Sequence, residues 1–321
     1  MKTIYLHCGA PKTGTSYLQT LFALYVKELS EEGIIYPFNR FVLGAKQGKI
    51  TSGNGIPMAN YIRPNLPHQI PNKGIYLEEF KMQLKDAQAK DLLFSSEFLT
   101  FPNNDRTKSI VDAIYQEDYQ VKVIYLVRDF GKAAYSTYSQ EIKRAGEFRN
   151  FSTFIRSWDP LYINNIRTLR KIFGDQSVFV YNYEEHANNL QRLFFKDFLR
   201  TKINIEHKST VNRSLSQSEI KMMRYFNEIT GGDAKSSNFV NDALMLLPVT
   251  LNKANQLQPL EYDYLAMMFS KAIDEINSFI IGEKIKIGTV SDQPNAELTI
   301  NDSERLTLAI LAKLVQKATK A

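Results

Sequence analysis

Short runs rich in β-branched and aromatic residues recur along the chain between longer stretches whose apolar positions return every three or four residues. The short runs cover residues 3–8, 34–36, 92–95, 122–127 and 177–181, and their length and composition predict strands. The stretches 15–30, 76–89, 131–144 and 152–173 carry the helical spacing. Strands alternating with helices mean βαβ units. The expected fold is therefore α/β, with a central, mainly parallel sheet of about five strands flanked by helices.

Two regions depart from this alternation. Between residues 39 and 74, Gly44, Gly48, Gly53 and Gly55 together with Pro57, Pro64, Pro67 and Pro71 break any long periodicity. This predicts a long irregular excursion near the sheet's ligand-binding edge, and long excursions are either functional or plain connectors. After about Ile205 the strand signals fade, and residues 216–229, 259–280 and 302–317 read as helices. The expected organisation is an α/β domain over 1–250 with a helical C-terminal extension over 251–321, and no internal repeat.

With 321 residues and 44% hydrophobic content, the chain has enough material for a large core. Its 40 basic and 34 acidic residues leave +6 without a long Lys/Arg tract, so the balance suits anionic ligands and predicts no nucleic-acid partner. The single Cys8 excludes an internal disulfide and a Cys-cluster metal site, and the four His lack ligand spacing. No metal is expected. The first apolar run is only strand-long and meets a Gly-rich turn, which is not the pattern of a signal peptide. No segment approaches the ~20 apolar residues of a membrane span. A cytoplasmic location is the corresponding expectation.

The strongest chemical pattern is HCGAPKTGTSYLQ, residues 7–19, which follows a predicted strand and opens a predicted helix. Converging backbone N–H groups and the helix dipole at such a turn favour phosphate or sulfate. Gly9 and Gly14 permit close backbone approach, Lys12 supplies a cation, and Thr13, Thr15 and Ser16 offer hydroxyls. The bland alternative is an ordinary Gly-rich strand-to-helix turn. The spacing of the two glycines matches a Walker A loop, yet Gly14 is followed by Thr15 and Ser16 where that loop needs Lys.

The run Pro11, Lys12, Thr13, Gly14, Thr15, Ser16 resembles the 5'-phosphosulfate loop of the sulfotransferase family. The resemblance implies a P-loop-like α/β fold and 3'-phosphoadenosine-5'-phosphosulfate as donor, with adenosine 3',5'-bisphosphate as product. It implies that Lys12 touches the leaving phosphate and the transferring sulfuryl group, with the backbone of 13–16 around the 5'-phosphate. A second resemblance lies in KVIYLVRDFGKAAYSTYSQ, residues 122–140, where Arg128 at a strand end and Ser136 in the next helix stand at the spacing of the family's 3'-phosphate motif. An Arg fork and a hydroxyl suit a phosphate that ATP lacks. In VNRSLSQSE, residues 211–219, Asn212, Arg213 and Ser214 resemble a late donor-covering loop, while Ser214 or Ser216 equally suits a helix cap.

Sulfuryl transfer needs a group to take the acceptor's proton. Glu97, just past the third strand, is the first candidate, with His68 and His7 as rivals, and a carboxylate there resembles the glycan-type members. A Glu at a strand end also serves as helix N-terminal charge. Glu184 resembles a recurrent family position whose role is open between binding and structure. Lys143 and Arg144 suit an acidic acceptor or a solvated helix end, and Phe38, Phe41 and Tyr61 suit sugar stacking or core. The expected acceptor is a small molecule or glycan. A P-loop nucleotide kinase or other phosphotransferase and a non-catalytic nucleotide-binding module are the competing functions.

Overall fold

The computed structural model describes residues 2–49, 51–66, 75–87, 90–206, 215–246, 257–290 and 302–320. Among these residues, six strands, β1 (Lys2–Gly9), β2 (Ile34–Ile35), β3 (Asp91–Ser96), β4 (Tyr119–Val127), β5 (Val178–Asn182) and β6 (Ile280–Ile281), form one sheet in the order β2-β3-β1-β4-β5-β6. Every pairing is parallel. All of β1 beyond Lys2 is buried, as expected of a central parallel strand covered on both faces. The five expected strands are all present, each within a few residues of its predicted bounds.

The sixth strand escaped the pattern. Ile280–Ile281 follows the helix Pro259–Phe279 directly, and Ile280 continues that helix's apolar spacing. Only pairing with Val180 and Tyr181 of β5 draws it into the sheet. Other departures have local causes. The expected helix 152–173 is split into Phe151–Phe154 and Tyr162–Phe173, because Pro160 between them cannot continue an α-helix. Residues 15–30 form two helices, Thr15–Leu24 (α1) and Val26–Glu31.

The stretch 39–74, expected to be irregular, is helical over Arg40–Lys46 and Ile56–Ile62. Asn39 caps the first of these by accepting from the N–H groups of Phe41 and Val42, and Pro57 sits in the first turn of the second, where its missing N–H costs nothing. Between the two helices, Asn54 does the work of a strand. Its side chain donates to the carbonyl of Leu93 and accepts from the N–H of Ser95, both at 2.8 Å. β2 pairs with β3 only as far as Leu92, so Asn54 satisfies the edge of β3 beyond that point, where bare backbone groups would be costly.

The chain divides into two compact units, Met1–Arg128 with Leu161–Val211 and Ala272–Ile285, and Asp129–Pro160 with Asn212–Lys271 and Lys286–Ala321. The first holds the whole sheet, with a core in which Leu18, Leu21 and Phe22 of α1 meet Leu193, Phe194 and Phe198. The second is helical. Its core brings Tyr138 and Ile142 together with Met223, Phe226, Val240, Leu265 and Val315. Among the described residues, no helix is long and apolar enough to cross a membrane.

Candidate anion site at the carboxyl edge of the sheet

In this strand order the chain leaves β1 toward β2 on one side and leaves β4 toward β5 on the other. The carboxyl ends of these neighbours, registered at Gly9 opposite Leu126, form the topological switch point where open α/β sheets bind ligands. The turn 10–14 rises from β1 at this place.

The turn is held from within. The Thr13 hydroxyl, expected as an anion donor, is buried and donates to the carbonyl of Ala10 at 2.7 Å, so its side chain braces the loop. Lys12 adopts φ +70°, a left-handed conformation that costs a non-glycine residue about 1–3 kcal/mol and persists only where the surroundings impose it. Gly14 has φ +77°, a left-handed conformation that favours glycine, and a Cβ on it would also press on the end of the Leu190 side chain, 2.5 Å from its Cδ1. Among the described residues, no side chain caps α1, whose first turn also lacks an acidic residue. The buried Thr15 Oγ1 has no hydrogen-bond partner among the described residues. An uncapped helix start with an unpartnered hydroxyl beside it fits an anionic group.

Arg128 follows β4 and ties three strand ends together. Its Nε donates to Glu184 Oε1 at 3.0 Å, its Nη1 donates to the carbonyl of Lys12 at 3.2 Å, and the guanidinium lies 5.2 Å from the ring centre of Tyr183. Glu184 stands just past β5, its N–H donating to Asn182 Oδ1 at 3.0 Å. Sequence reasoning singled out Arg128 but left Glu184 without a definite role. The signal was present as YNYEE at the end of the fifth predicted strand, but a contact 56 residues apart has no local pattern.

Ser136 is half-buried in the helix Phe130–Arg144 of the second unit. The N-terminus of this helix is fully occupied. Asp129 accepts from the N–H of Lys132 at 3.0 Å, and the N–H groups of Phe130 and Gly131 donate to the carbonyls of Lys286 and Ile287. A phosphate met by this helix would engage side chains, since the first-turn backbone donors are taken. At the start of Gln217–Ile229, Ser216 forms a capping box with Glu219, which decides for Ser216 the alternative between cap and ligand. Asn212, Arg213, Ser214 and His68 lie outside the described residues.

Glu97 is half-buried in the turn after β3, one residue beyond Ser96, which registers with Cys8 of β1. It therefore leaves the same sheet edge as the 10–14 turn. His7 is fully buried, with Nδ1 2.9 Å from Ser95 Oγ and its ring edge-on to Phe194. Burial pushes its pKa down to about 3. It is neutral near pH 7, and its complete burial sets it apart from the half-buried Glu97. Arg144 is engaged by Asp242 at 3.0 Å and Asn238 at 2.7 Å, favouring its reading as a helix-end charge. Tyr61 is buried under Arg106, whereas Phe38 is 70% exposed. Among the described residues, no group of three or more His, Cys, Asp or Glu is placed to hold a metal ion.

No protein-family model and no curated protein matches this sequence. Among solved structures, the chain is similar to a sulfotransferase from Alicyclobacillus acidocaldarius, with 17% identity over 78% of this chain and 98% of that one and a TM-score of 0.37. It is similar also to mouse sulfotransferase SULT7A1 complexed with PAP, with 15% identity over 85% of each chain and a TM-score of 0.40. A third similarity is to retinol dehydratase in complex with androsterone and PAP, with 15% identity over 86% of this chain and 80% of that one and a TM-score of 0.32. Similarity of this size aligns no individual site residue.

Proposed function

We propose that the chain is a sulfotransferase that moves a sulfuryl group from 3'-phosphoadenosine-5'-phosphosulfate to a hydroxyl or amine of a glycan, glycolipid or other polar acceptor. The observation that carries this reading is the juxtaposition at the switch point of an uncapped helix start, the Lys12 turn and the Arg128 guanidinium. In this reading the turn 13–16 holds the 5'-phosphate, and Lys12 stabilises charge on the leaving phosphate. Arg128 and Ser136 read the 3'-phosphate, and Asn212, Arg213 and Ser214 cover the donor. Glu97 takes the acceptor's proton, with His68 as the alternative. The leaving group is already stable as an anion, so the chemistry requires no metal ion. The same reading holds the enzyme to be cytoplasmic.

The test is a thermal-shift series in which adenosine 3',5'-bisphosphate and AMP are added without magnesium and ATP with and without it. Adenosine 3',5'-bisphosphate at 100 times its Kd should add about 2.7 kcal/mol of apparent stability, well above AMP at equal concentration. Preference for ATP with magnesium would point instead to a phosphotransferase, and strong bisphosphate binding with no transfer across an acceptor panel would point to a binding module. Once an acceptor is found, Glu97→Gln should lower turnover by about 10²–10⁴ with donor affinity nearly intact. Loss in His68→Ala with full activity in Glu97→Gln would move the role to the histidine.

A further inference from the structure

We propose that Glu184 is a positioning residue that acts through Arg128 to hold the Lys12 turn in its working conformation. The proposal rests on the sulfotransferase reading for its catalytic consequence, but its structural part stands alone. Lys12 occupies a left-handed backbone conformation at φ +70°, which for a lysine needs outside restraint. The bond from Arg128 Nη1 to the Lys12 carbonyl is such a restraint, reaching across from the neighbouring strand end.

Arg128 can restrain Lys12 only if its own fork is fixed. A guanidinium is planar and rigid, so anchoring the Nε edge sets the direction of both Nη groups. Glu184 anchors that edge at 3.0 Å, and the two side chains are each 21% exposed, so water screens the pair only in part. Glu184 is in turn fixed at the start of a short helical turn. Asn182 accepts from its N–H and donates to the carbonyl of Lys284. The line of force runs from β5 through Glu184 and Arg128 to Lys12 on the β1 turn. Tyr183 closes the remaining side by lying against the guanidinium.

The hydrogen bond, more than the negative charge, is the active element. Gln keeps an acceptor oxygen at the same place, and Ala removes it. In ligand-free protein, Glu184→Ala should speed tryptic cleavage after Lys12, followed by mass spectrometry, by roughly fivefold or more as the turn opens more often. Glu184→Gln should cleave at nearly the wild-type rate. With donor and acceptor present, Glu184→Ala should lose turnover at saturating donor on the order of 10²-fold, the cost of displacing a reacting group by about 1 Å. Glu184→Gln should restore it to within a few-fold. Arg128→Lys, which keeps the charge but loses the fork, should cleave as fast as Glu184→Ala.

Wild-type cleavage in Glu184→Ala would overturn the proposal, and so would a Glu184→Gln variant as impaired as Glu184→Ala, which would make charge the cause. Absence of any transfer by the wild-type chain would defeat the sulfotransferase reading. The cleavage rates in the absence of ligand would still decide whether Glu184 holds the turn.

Discussion

The two helix starts that follow β1 and β4 solve the same local problem in opposite ways. Helix α1 opens without a side-chain cap, behind a turn braced internally by Thr13 and shaped by the positive φ of Lys12 and Gly14. The helix Phe130–Arg144 opens with its donors taken by Asp129, Lys286 and Ile287. The first leaves the positive end of its helix dipole without a side-chain cap, as an anion site would need. The second offers only what its side chains provide. On the proposed reading the donor's 5'-phosphate is held by backbone and its 3'-phosphate by side chains, so the two should respond differently to mutation.

The largest effect is expected at Lys12. Lys12→Ala should lower turnover at saturating donor by about 10²–10³, as for loss of one group that stabilises developing charge. Affinity for adenosine 3',5'-bisphosphate should change far less, because the backbone donors remain. Turnover equal to wild type would take Lys12 out of the chemistry. Next, Arg128→Ala should lose roughly 2–4 kcal/mol of affinity for the bisphosphate and a smaller amount for AMP, which feels only the loosened Lys12 turn, measured by calorimetry. Equal losses for the two nucleotides would erase the contrast between the two ends.

The His7 imidazole beneath the first turn yields a pH prediction. Its folded pKa of about 3 lies below the ordinary 6.5, so between those values the unfolded chain binds a proton that the folded chain refuses. His7 therefore makes stability fall as pH drops from 6.5 toward 3, by at most about 1.4 kcal/mol per pH unit. Urea midpoints of wild type and His7→Gln, compared at pH 7 and pH 4.5, should move toward each other or cross as pH falls. A constant difference would mean that His7 is not held neutral. The smallest effect is expected at Asp129, where Asp129→Ala should cost about 1 kcal/mol of stability through loss of a helix cap. Bisphosphate affinity should be unchanged, and a large change would show that the second helix start does more than close itself.

Local chemistry made much of this protein legible. The strand runs and the helical spacing around them predicted the α/β class. Gly9, Lys12, Gly14 and the following Thr and Ser marked a tight turn from strand to helix, because turn conformation and helix opening depend on residues a few positions apart. Arg128 was visible as a charge ending an apolar strand.

Tertiary structure alone decided how the strands are ordered, and so that β1 and β4 lie side by side. It decided that Ile280–Ile281 joins the sheet, that Asn54 completes the edge of β3, and that Thr13 turns inward. It also brought Glu184 to Arg128 and Arg128 to Lys12, over separations of 56 and 116 residues. Those contacts depend on strand register and buried packing across the sheet, and neither leaves a periodic trace in the chain. Burial likewise settled His7, whose place after an apolar strand was readable but whose neutral state follows from complete exclusion of water around the ring.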